Sequence, residues 1–366
     1  MKATTVKAVA VAIEARVPVL LWGEPGTGKT ATVEALAAKL GLPLEVIIAS
    51  IREPSDFSGL PVLRDDGVHL EPPVWAKRLA EAGKGILFLD EISTAPPAVQ
   101  AALLRVVLDR VVGELELPKD VAVVAAANPP EMAAGGWDLT PPMANRFVHI
   151  DWTVDVQTWL DRAGSGFRLP DVPRLPSGWE DGIPQALSLV RAFIQRRPEL
   201  LQKFPKNAEA AGRGWPSARS WTAAARLLAA AKAAGLGEEG EGILLSGAVG
   251  PGAALEFLRW RKDLDLPDPE DLLRDPESFR LPVRGDAAFA VLSSVAAAVL
   301  SKLTKERWMA AWDIMAKAAE QGAADVAAAA VRSLAEAFRE GRAKGMPVPS
   351  KQLQPFLPLL KEAGLM

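Results

Sequence analysis

The chain of 366 residues has a formal net charge of −3, and this acidic balance disfavours a nucleic-acid-binding protein because phosphate backbones select basic surfaces. We interpret the local basic run Arg191, Arg196, Arg197 and Lys203 as a solvated helix face. The sequence contains no cysteine, which excludes disulfides, thiolate metal sites and cysteine nucleophiles.

The ends and the apolar stretches indicate a cytoplasmic protein. No secretory signal follows Lys2 and Lys7. The most apolar later stretch, residues 287–300, is too short to span a bilayer of about 30 Å, so it predicts a buried helix and no membrane insertion. Only two histidines are present, His69 and His149, which disfavours a histidine metal cage or a Ser-His-Asp triad.

The first 150 residues alternate short apolar runs with helical patterns, which predicts an α/β fold with a parallel sheet. The predicted strands are residues 17–22, 44–49, 86–90, 121–127 and 147–151. A helix over residues 30–40 follows the first strand and ends at Gly41. The third strand is uniformly apolar, as expected of a strand that is buried on both faces.

Two inserts interrupt this alternation, and each predicts a β-hairpin. Residues 58–72 contain the turn sequence Asp65-Asp66-Gly67 between short apolar pieces. Residues 111–124 alternate apolar and polar positions, and Pro118-Lys119-Asp120 is the predicted turn.

The composition changes after Asp151. Residues 163–183 are rich in glycine and proline, which is typical of a linker. Every later long segment has a helical pattern, with one group of helices over 185–195, 221–234 and 255–261. A proline-rich break at 266–283 separates this group from Ala-rich helices that extend from Asp286 to the end.

A phosphate loop lies between the first strand and the following helix. Its glycines let backbone N–H groups point at phosphates, and the helix directs its positive end to the same place. Lys29 is expected to reach the β- and γ-phosphates of ATP, and the Thr30 hydroxyl is expected to bind Mg²⁺. The residues fit the motif G-x-x-x-x-G-K-[ST] in full: Gly23, Glu24, Pro25, Gly26, Thr27, Gly28, Lys29 and Thr30.

Polar residues follow two further strands. Asp90 and Glu91 end the third strand, at the edge of the sheet where the phosphate loop also lies. We expect Asp90 to orient Mg²⁺ and Glu91 to act as general base toward the attacking water. A solvated acidic turn would explain charge after a strand, but not a pair beside the nucleotide. Asn128, which ends the fourth strand, is expected to hold that water.

Two arginines complete the set of candidate catalytic residues. Arg146 lies just before the fifth strand, and Arg219 lies at a helix start in the helical region. A solvated or structural role stays open for both, because exposed arginines usually have one.

Taken in this order, the five elements resemble a AAA+ ATPase, and more specifically the MoxR family, as Walker A, Walker B, sensor 1, arginine finger and sensor 2. The resemblance covers residues 17–152 and 184–235. Ser93-Thr94 stand where the family commonly has Asn-Arg, and Ser50 is a possible partner that restrains Glu91. The connecting segments that carry the resemblance are 54–59, 90–92, 95–97, 100–104, Asn128-Pro129 and Arg146-Phe147.

The resemblance implies a parallel-sheet P-loop AAA+ core followed by an all-α lid and a helical extension. The core would span residues 1–152, with a helix-2 insert at about 57–73 and a hairpin before sensor 1 at about 111–124. A linker at 153–183, a lid at 184–262 and a C-terminal extension at 263–366 would follow. The nucleotide-binding set would comprise residues 23–30 and Ala31.

The resemblance also implies how the chain works. It would form a homo-oligomeric ring, expected to be a hexamer, in which Arg146 acts on the ATP of the neighbouring subunit. Arg219 would touch the γ-phosphate from the lid, and the hairpins would engage a client. The partner expected from the family is a protein with a von Willebrand factor A domain, which the ATPase remodels or activates.

Two rival functions stay open. One is a AAA+ motor or loader that acts on DNA or RNA, which the acidic balance disfavours. The other is a nucleotide switch that hydrolyses slowly and acts as a scaffold. The joint presence of Glu91, Asn128 and Arg146 favours a hydrolysing motor over this scaffold.

Overall fold

The chain divides into two compact units in a computed structural model that describes residues 2–129, 132, 137, 139–264 and 266–365. The first unit runs to Ser177 and resumes at Gln202–Leu255. The second comprises Gly178–Leu201 and the chain from Glu256 onward. This division differs from the predicted lid at 184–262, because the first helix of that range belongs to the second unit.

A five-stranded parallel sheet forms the centre of the first unit, in the order β2-β5-β8-β1-β9. The five predicted strands are confirmed, with ends shifted by no more than a few residues. Strands β5 and β8 are buried almost throughout, which explains their uniformly apolar sequences. The strands are β1 (Val19–Trp22), β2 (Leu44–Ile48), β5 (Lys84–Asp90), β8 (Asp120–Ala127) and β9 (Val148–Asp151).

The helices of the first unit cover this sheet. Among them, α1 was not predicted from sequence, and it packs against both α10 and α11. The helices are α1 (Ala3–Glu14), α2 (Lys29–Leu40), α3 (Ser55–Ser58), α4 (Val74–Ala82), α5 (Pro97–Asp109), α6 (Pro141–Ala144), α7 (Val156–Gly164), α9 (Ala208–Ala211), α10 (Ala218–Ala233) and α11 (Gly237–Val249).

Helix α7 lies inside the predicted linker at 153–183, so that segment is not irregular throughout. Asp155 caps the helix, since its carboxylate accepts a hydrogen bond from Thr158 N at 2.8 Å. The glycine-rich sequence that suggested a linker begins only at Gly164, the last residue of the helix.

Both predicted hairpins are present, but the turn of the second was wrong. The first hairpin pairs β3 (Leu60–Arg64) with β4 (Gly67–Glu71) around the predicted Asp65-Asp66 turn. The second pairs β6 (Val111–Val112) with β7 (Leu115–Glu116), so its turn is Gly113-Glu114. Gly113 has a φ of +60°, which suits glycine. The segment at Pro118 instead leads into β8, which joins the central sheet.

The second unit is helical and has its own core. Its largest buried side chains include Trp308, Trp312, Phe279 and Phe356. Helix α14 is buried along most of its length, which confirms the predicted buried helix at 287–300. The helices are α8 (Ile183–Arg196), α12 (Pro251–Lys262, which begins in the first unit), α13 (Pro269–Arg274), α14 (Gly285–Ser301), α15 (Lys305–Glu320), α16 (Ala324–Arg339) and α17 (Leu357–Glu362).

No helix in the described part of the chain combines the length and the apolar character that a membrane crossing requires.

Helix α11 approaches strand β9 closely at Gly247. A Cβ atom there would lie 2.4 Å from the carbonyl oxygen of His149 and 2.7 Å from Val148 Cγ1. Only glycine fits such a contact, because any side chain would push the helix away from the sheet.

Gly247→Ala is therefore expected to lower the free energy of unfolding by about 1–3 kcal/mol through overpacking, although alanine normally stabilises a helix interior relative to glycine. Urea denaturation of the purified protein measures this. Gly252→Ala in α12 is the matched control, since no heavy atom lies within 4 Å of its added Cβ. A Gly247→Ala protein at least as stable as the wild type would contradict the packing.

Candidate functional site

The phosphate loop joins the carboxyl end of β1 to the amino end of α2. Gly23 N donates to Ala127 O at 3.1 Å, so the loop starts hydrogen-bonded to the neighbouring strand. A Cβ on Gly23 would lie 2.4 Å from Trp152 O, which leaves room for glycine only. Gly26 and Gly28 have φ values of +78° and +79°, which curl the backbone as the motif requires.

Lys29 is buried under this loop. Its Nζ donates to Gly23 O at 2.6 Å, to Glu24 O at 3.0 Å and to Asn128 Oδ1 at 3.0 Å. Burial lowers the pKa of the Lys29 ammonium, and the charges of Asp90 and Glu91 oppose that shift. The ammonium thus lies inside the curl of the loop, where phosphate oxygens can replace the carbonyl oxygens as acceptors.

Asp90 faces the start of α2. Thr30 Oγ1 donates to Asp90 Oδ2 at 2.7 Å, and Glu91 N donates to Asp90 Oδ1 at 2.9 Å. The carboxylate is thereby fixed in orientation beside the loop, in the position predicted from the sequence.

Glu91 points away from Asp90, toward the end of β2. Its backbone is left-handed, with a φ of +56°, a conformation that costs a non-glycine residue on the order of 1 kcal/mol. Ser50 Oγ donates to Glu91 Oε2 at 2.6 Å, and Thr94 Oγ1 donates to Glu91 O at 2.9 Å. The predicted contact between Ser50 and Glu91 is confirmed. The side chain of Glu91 is exposed and so remains accessible to water.

The pair Thr30 and Asp90 suits a magnesium ion. Mg²⁺ prefers oxygen ligands and usually combines one or two carboxylates with water and substrate phosphates. A hydroxyl and a carboxylate oxygen 2.7 Å apart beside the phosphate loop match that preference. No group of three or more histidine or acidic residues suited to a metal occurs among the described residues, so phosphate and water oxygens would complete the shell.

Asn128 links the loop to the strand beside it. Besides accepting from Lys29, it offers its backbone carbonyl to Ser93 Oγ at 3.4 Å. Ser93 is buried, and it is one of the two residues that depart from the family pattern. Lys29, Asn128, Asp90 and Glu91 are therefore brought together at one edge of the sheet, as the sequence predicts.

Trp152 is a residue of the site that sequence reasoning missed. Its side chain is 1% exposed, and its Nε1 donates to Thr27 O at 3.2 Å. This bond ties the Thr27 carbonyl, in the middle of the loop, to the residue that follows β9. The position directly after the fifth strand, at the same sheet edge as the loop, is the signal that could have found it.

Trp22, the residue before the loop, is fixed by a second group of side chains. Its Nε1 donates to His149 Nδ1 at 2.8 Å, and His149 Nε2 then donates to Ala144 O at 2.8 Å. Burial lowers the pKa of His149 to about 4, so the ring is neutral near pH 7. The Arg213 guanidinium lies 4.3 Å from the centre of the Trp22 ring and pairs with Asp151 at 2.9 Å.

Arg146 lies at the amino end of strand β9, whereas the phosphate loop follows the carboxyl end of the neighbouring strand β1. It precedes β9, whose Val148 is in register with Val19 and whose Asp151 is in register with Trp22. The strand alone separates the two edges by about 10 Å. Arg146 Nη1 donates to Pro142 O, and its buried Nε has no hydrogen-bond partner among the described residues.

Arg219 is in the first turn of α10, close enough to Arg146 for its charge to act on that residue. Ser217, which caps α10, donates to Asn145 Oδ1 at 2.6 Å, and Asn145 Nδ2 donates to Trp215 O at 3.0 Å. These bonds hold the start of α10 against the residue before Arg146. Burial lowers the pKa of Arg146, and the nearby charge of Arg219 lowers it further.

The other predicted nucleotide-binding residues line the outer side of the loop. Thr27 Oγ1 donates to Glu24 O at 2.7 Å, which closes the turn. Pro25 and Ala31 border a cavity next to α2. Together the described residues offer a phosphate cradle, two oxygen ligands for a cation and a water-accessible carboxylate.

Comparison with known proteins identifies the core of this first unit. Residues 18–147 match the model of the AAA domain of the dynein-related subfamily, so this part of the chain is a AAA domain with the predicted P-loop α/β core. A solved structure of a "putative ATPase" from Cytophaga hutchinsonii is 18% identical, with a TM-score of 0.46, over 69% of this chain and 88% of that one.

Two curated relatives share the same segment. The Psp operon transcriptional activator of Escherichia coli (strain K12) is 36% identical over 126 residues, 30% of this chain and 37% of the relative. The Nif-specific regulatory protein of Rhodobacter capsulatus is 36% identical over 125 residues, 31% of this chain and 21% of the relative. The chain therefore spans well under half the length of either. None of these names contains MoxR, so that finer assignment stays a prediction.

Trp152→Phe is expected to weaken ATP binding about 2- to 10-fold, because it removes one neutral hydrogen bond to the loop. Isothermal titration calorimetry measures the affinity. Trp75→Phe is the matched control, since Trp75 is also largely buried but packs on Phe57 in another part of the unit. Equal ATP affinities in the wild type and Trp152→Phe would contradict this role.

Proposed function

We propose that this AAA domain binds and hydrolyses ATP, and that the chain is a MoxR-like ATPase that works in a homo-oligomeric ring. The observation that carries the proposal is the separation of the two neighbouring carboxylates. Asp90 faces Thr30, whereas Glu91 faces Ser50 and water. One carboxylate is thus available for the cation and the other for the nucleophile.

The residues suggest a chemical sequence for hydrolysis. Glu91 accepts a proton from a water molecule as the water oxygen bonds to the γ-phosphorus, and the bond from that phosphorus to the bridging oxygen breaks, giving ADP and phosphate. Lys29 stays paired with the negative charge on the phosphates, and Asn128 orients the water. Mg²⁺, held by Thr30 and Asp90, would neutralise charge on the phosphate oxygens.

Ser50 gives this reaction a resting state. The Glu91 carboxylate accepts a hydrogen bond from the Ser50 hydroxyl at 2.6 Å, and this bond holds it turned toward β2. Glu91 must leave Ser50 before it can take a proton from water. Movement of the Ser50 turn, Ala49–Ile51, would therefore control hydrolysis without altering ATP binding.

The two arginines support a composite site in a ring. Arg146 and Arg219 are close enough for their charges to interact, and Arg146 lies at the strand end remote from the phosphate loop. Asp109 also acts on Arg146 through its charge, but no described carboxylate lies within salt-bridge distance of either arginine. Two neighbouring cations of this kind suit an anion that comes from outside the subunit. The γ-phosphate of a neighbour's ATP is such an anion, so we assign both arginines to the next subunit's site.

Helix α10 connects this interface to the rest of the first unit. It begins at the arginine pair and packs against α11, which packs against β9. Gain or loss of the neighbour's γ-phosphate would thus move a packed helical pair. We propose that a hexameric ring uses this movement to remodel a protein client, with a von Willebrand factor A domain protein as partner; this last element comes from the MoxR resemblance.

A second candidate function has support from the names of the relatives. The Psp operon activator and the Nif-specific regulatory protein are regulators, so a AAA motor that acts at nucleic acid is the alternative. Filter binding at moderate salt separates the two functions, because a nucleic-acid motor binds duplex or single-stranded DNA or RNA under those conditions and the proposed protein remodeller does not.

Glu91→Gln is expected to bind ATP within a few-fold of the wild-type affinity but to reduce turnover by about 10²–10⁴, since the amide cannot take the proton. Phosphate release and nucleotide binding are measured on the same preparation. Glu34→Gln, on the exposed face of α2, is the control and should turn over normally. Normal turnover by Glu91→Gln would remove Glu91 from its role, and a wild type without turnover would favour the scaffold function.

Arg146→Ala is expected to retain nucleotide binding and to lose about 10³-fold or more in turnover. Mixed with Glu91→Gln subunits, it should regain activity, because about a quarter of the interfaces in a randomly mixed ring join an intact Glu91 to an intact Arg146. Arg219→Ala should be rescued in the same way. If only Arg146→Ala is rescued, Arg219 acts on the nucleotide bound by its own subunit. If neither variant is rescued, the result contradicts action between subunits.

A further inference from the structure

A cavity of about 350 Å³ adjoins the outer side of the phosphate loop. One wall is the loop itself, at Pro25 and Gly26, and the floor is the face of α2 that carries Ala31 and Ala35. These small side chains leave the space open. The volume lies within the range of small-molecule pockets.

The far wall of this cavity is aromatic. Trp159 of α7 and Phe167 stand edge to face, with ring centres 5.8 Å apart and an interplanar angle of 63°. Their exposed fractions are 49% and 52%, so large parts of both rings face the cavity or solvent. Leaving two such rings uncovered is unfavourable, because burying apolar surface stabilises a protein by about 25 cal/mol per Å².

The backbone holds Phe167 in this place at a cost. Its φ is +56°, a left-handed conformation that is a genuine outlier for a bulky side chain. The bond from Phe167 N to Arg162 O, at 2.6 Å, fixes the turn after α7. Arg162 also lines the cavity, and its buried Nε has no hydrogen-bond partner in the described part of the chain.

We propose that Trp159 and Phe167 hold the nucleobase of the nucleotide whose phosphates occupy the loop. The inference rests on the proposed ATP binding and assigns a role to α7, in the segment that the sequence presents as a linker. Two adjacent aromatic rings bind a planar heterocycle best, and any nucleobase can stack on one of these rings. The cavity adjoins the phosphate loop, so one nucleotide can place its phosphates in the loop and its base in the cavity.

Arg162 fits the same occupant. Its side chain borders the cavity, and a nucleobase carries ring nitrogens and carbonyl oxygens that can accept hydrogen bonds from guanidinium N–H groups. The aromatic rings then supply affinity and the arginine supplies selection among bases.

The experiment compares ATP with inorganic tripolyphosphate, which has the phosphates but neither base nor ribose. Trp159→Ala and Phe167→Ala are expected to weaken Mg-ATP binding on the order of tenfold and to leave tripolyphosphate binding unchanged within about twofold. Titration calorimetry gives both affinities. Leu160→Ala is the matched control, because Leu160 is 52% exposed on the same helix but does not line the cavity.

The conservative variant Trp159→Phe keeps a stacking surface and is expected to retain most of the ATP affinity. Unchanged ATP affinity in both alanine variants would overturn the inference while leaving the proposed ATPase intact. An equal loss for ATP and tripolyphosphate would also overturn it, since the aromatic pair would then act only through the loop. A wild-type protein that binds tripolyphosphate but not ATP would overturn the proposed function as well.

Discussion

The register of three parallel strands is the constraint on which the site depends. Trp22 of β1 is paired with Ala127 of β8 and with Asp151 of β9. The next residue along each strand is Gly23, Asn128 and Trp152, and these are the residues that start the loop, bond Lys29 and clamp Thr27. A slip of one residue in β8 would turn Asn128 to the other face of the sheet and leave Lys29 without that acceptor.

This register also divides the chemistry between two edges. The residues proposed to contact phosphates follow the strands, whereas Arg146 precedes β9. A single β-strand of four residues thus keeps Arg146 about 10 Å or more from the phosphate loop that belongs to the same chain. The arrangement prevents a lone subunit from completing its own site, and it makes hydrolysis a property of assembled subunits under the proposed function.

The sheet and loop could be predicted from the sequence because their signals are local. An apolar run followed by Gly-rich loop and helix specifies its own geometry, and the carboxyl ends of parallel strands meet in any doubly wound sheet. The position of the start of α10, which carries Arg219, could not be predicted in this way. It depends on Ser217 and Asn145, two short polar residues 72 positions apart that carry no pattern of their own.

Other differences have similar causes. Helix α11 contains glycine where a helix former is expected, and a contact with β9 that only glycine permits outweighs that local preference. In the second hairpin, a proline-containing segment has the composition of a turn, yet Gly113 takes the positive φ and the proline leads into a central strand. Helix α7 was obscured by the glycines that follow it, although Asp155 marks its start.

The pairing of Arg146 with Arg219 has a thermodynamic consequence for an assembly. In the proposed ring, each subunit would bring two cations that repel one another, and an anion from a neighbour would relieve that repulsion. Binding of the nucleotide and binding of the adjoining subunit are then linked equilibria, in which each raises the affinity for the other by the same factor. ATP in the proposed ring would bind at the interface of two subunits as well as supply energy, and its hydrolysis would weaken the contact between those subunits.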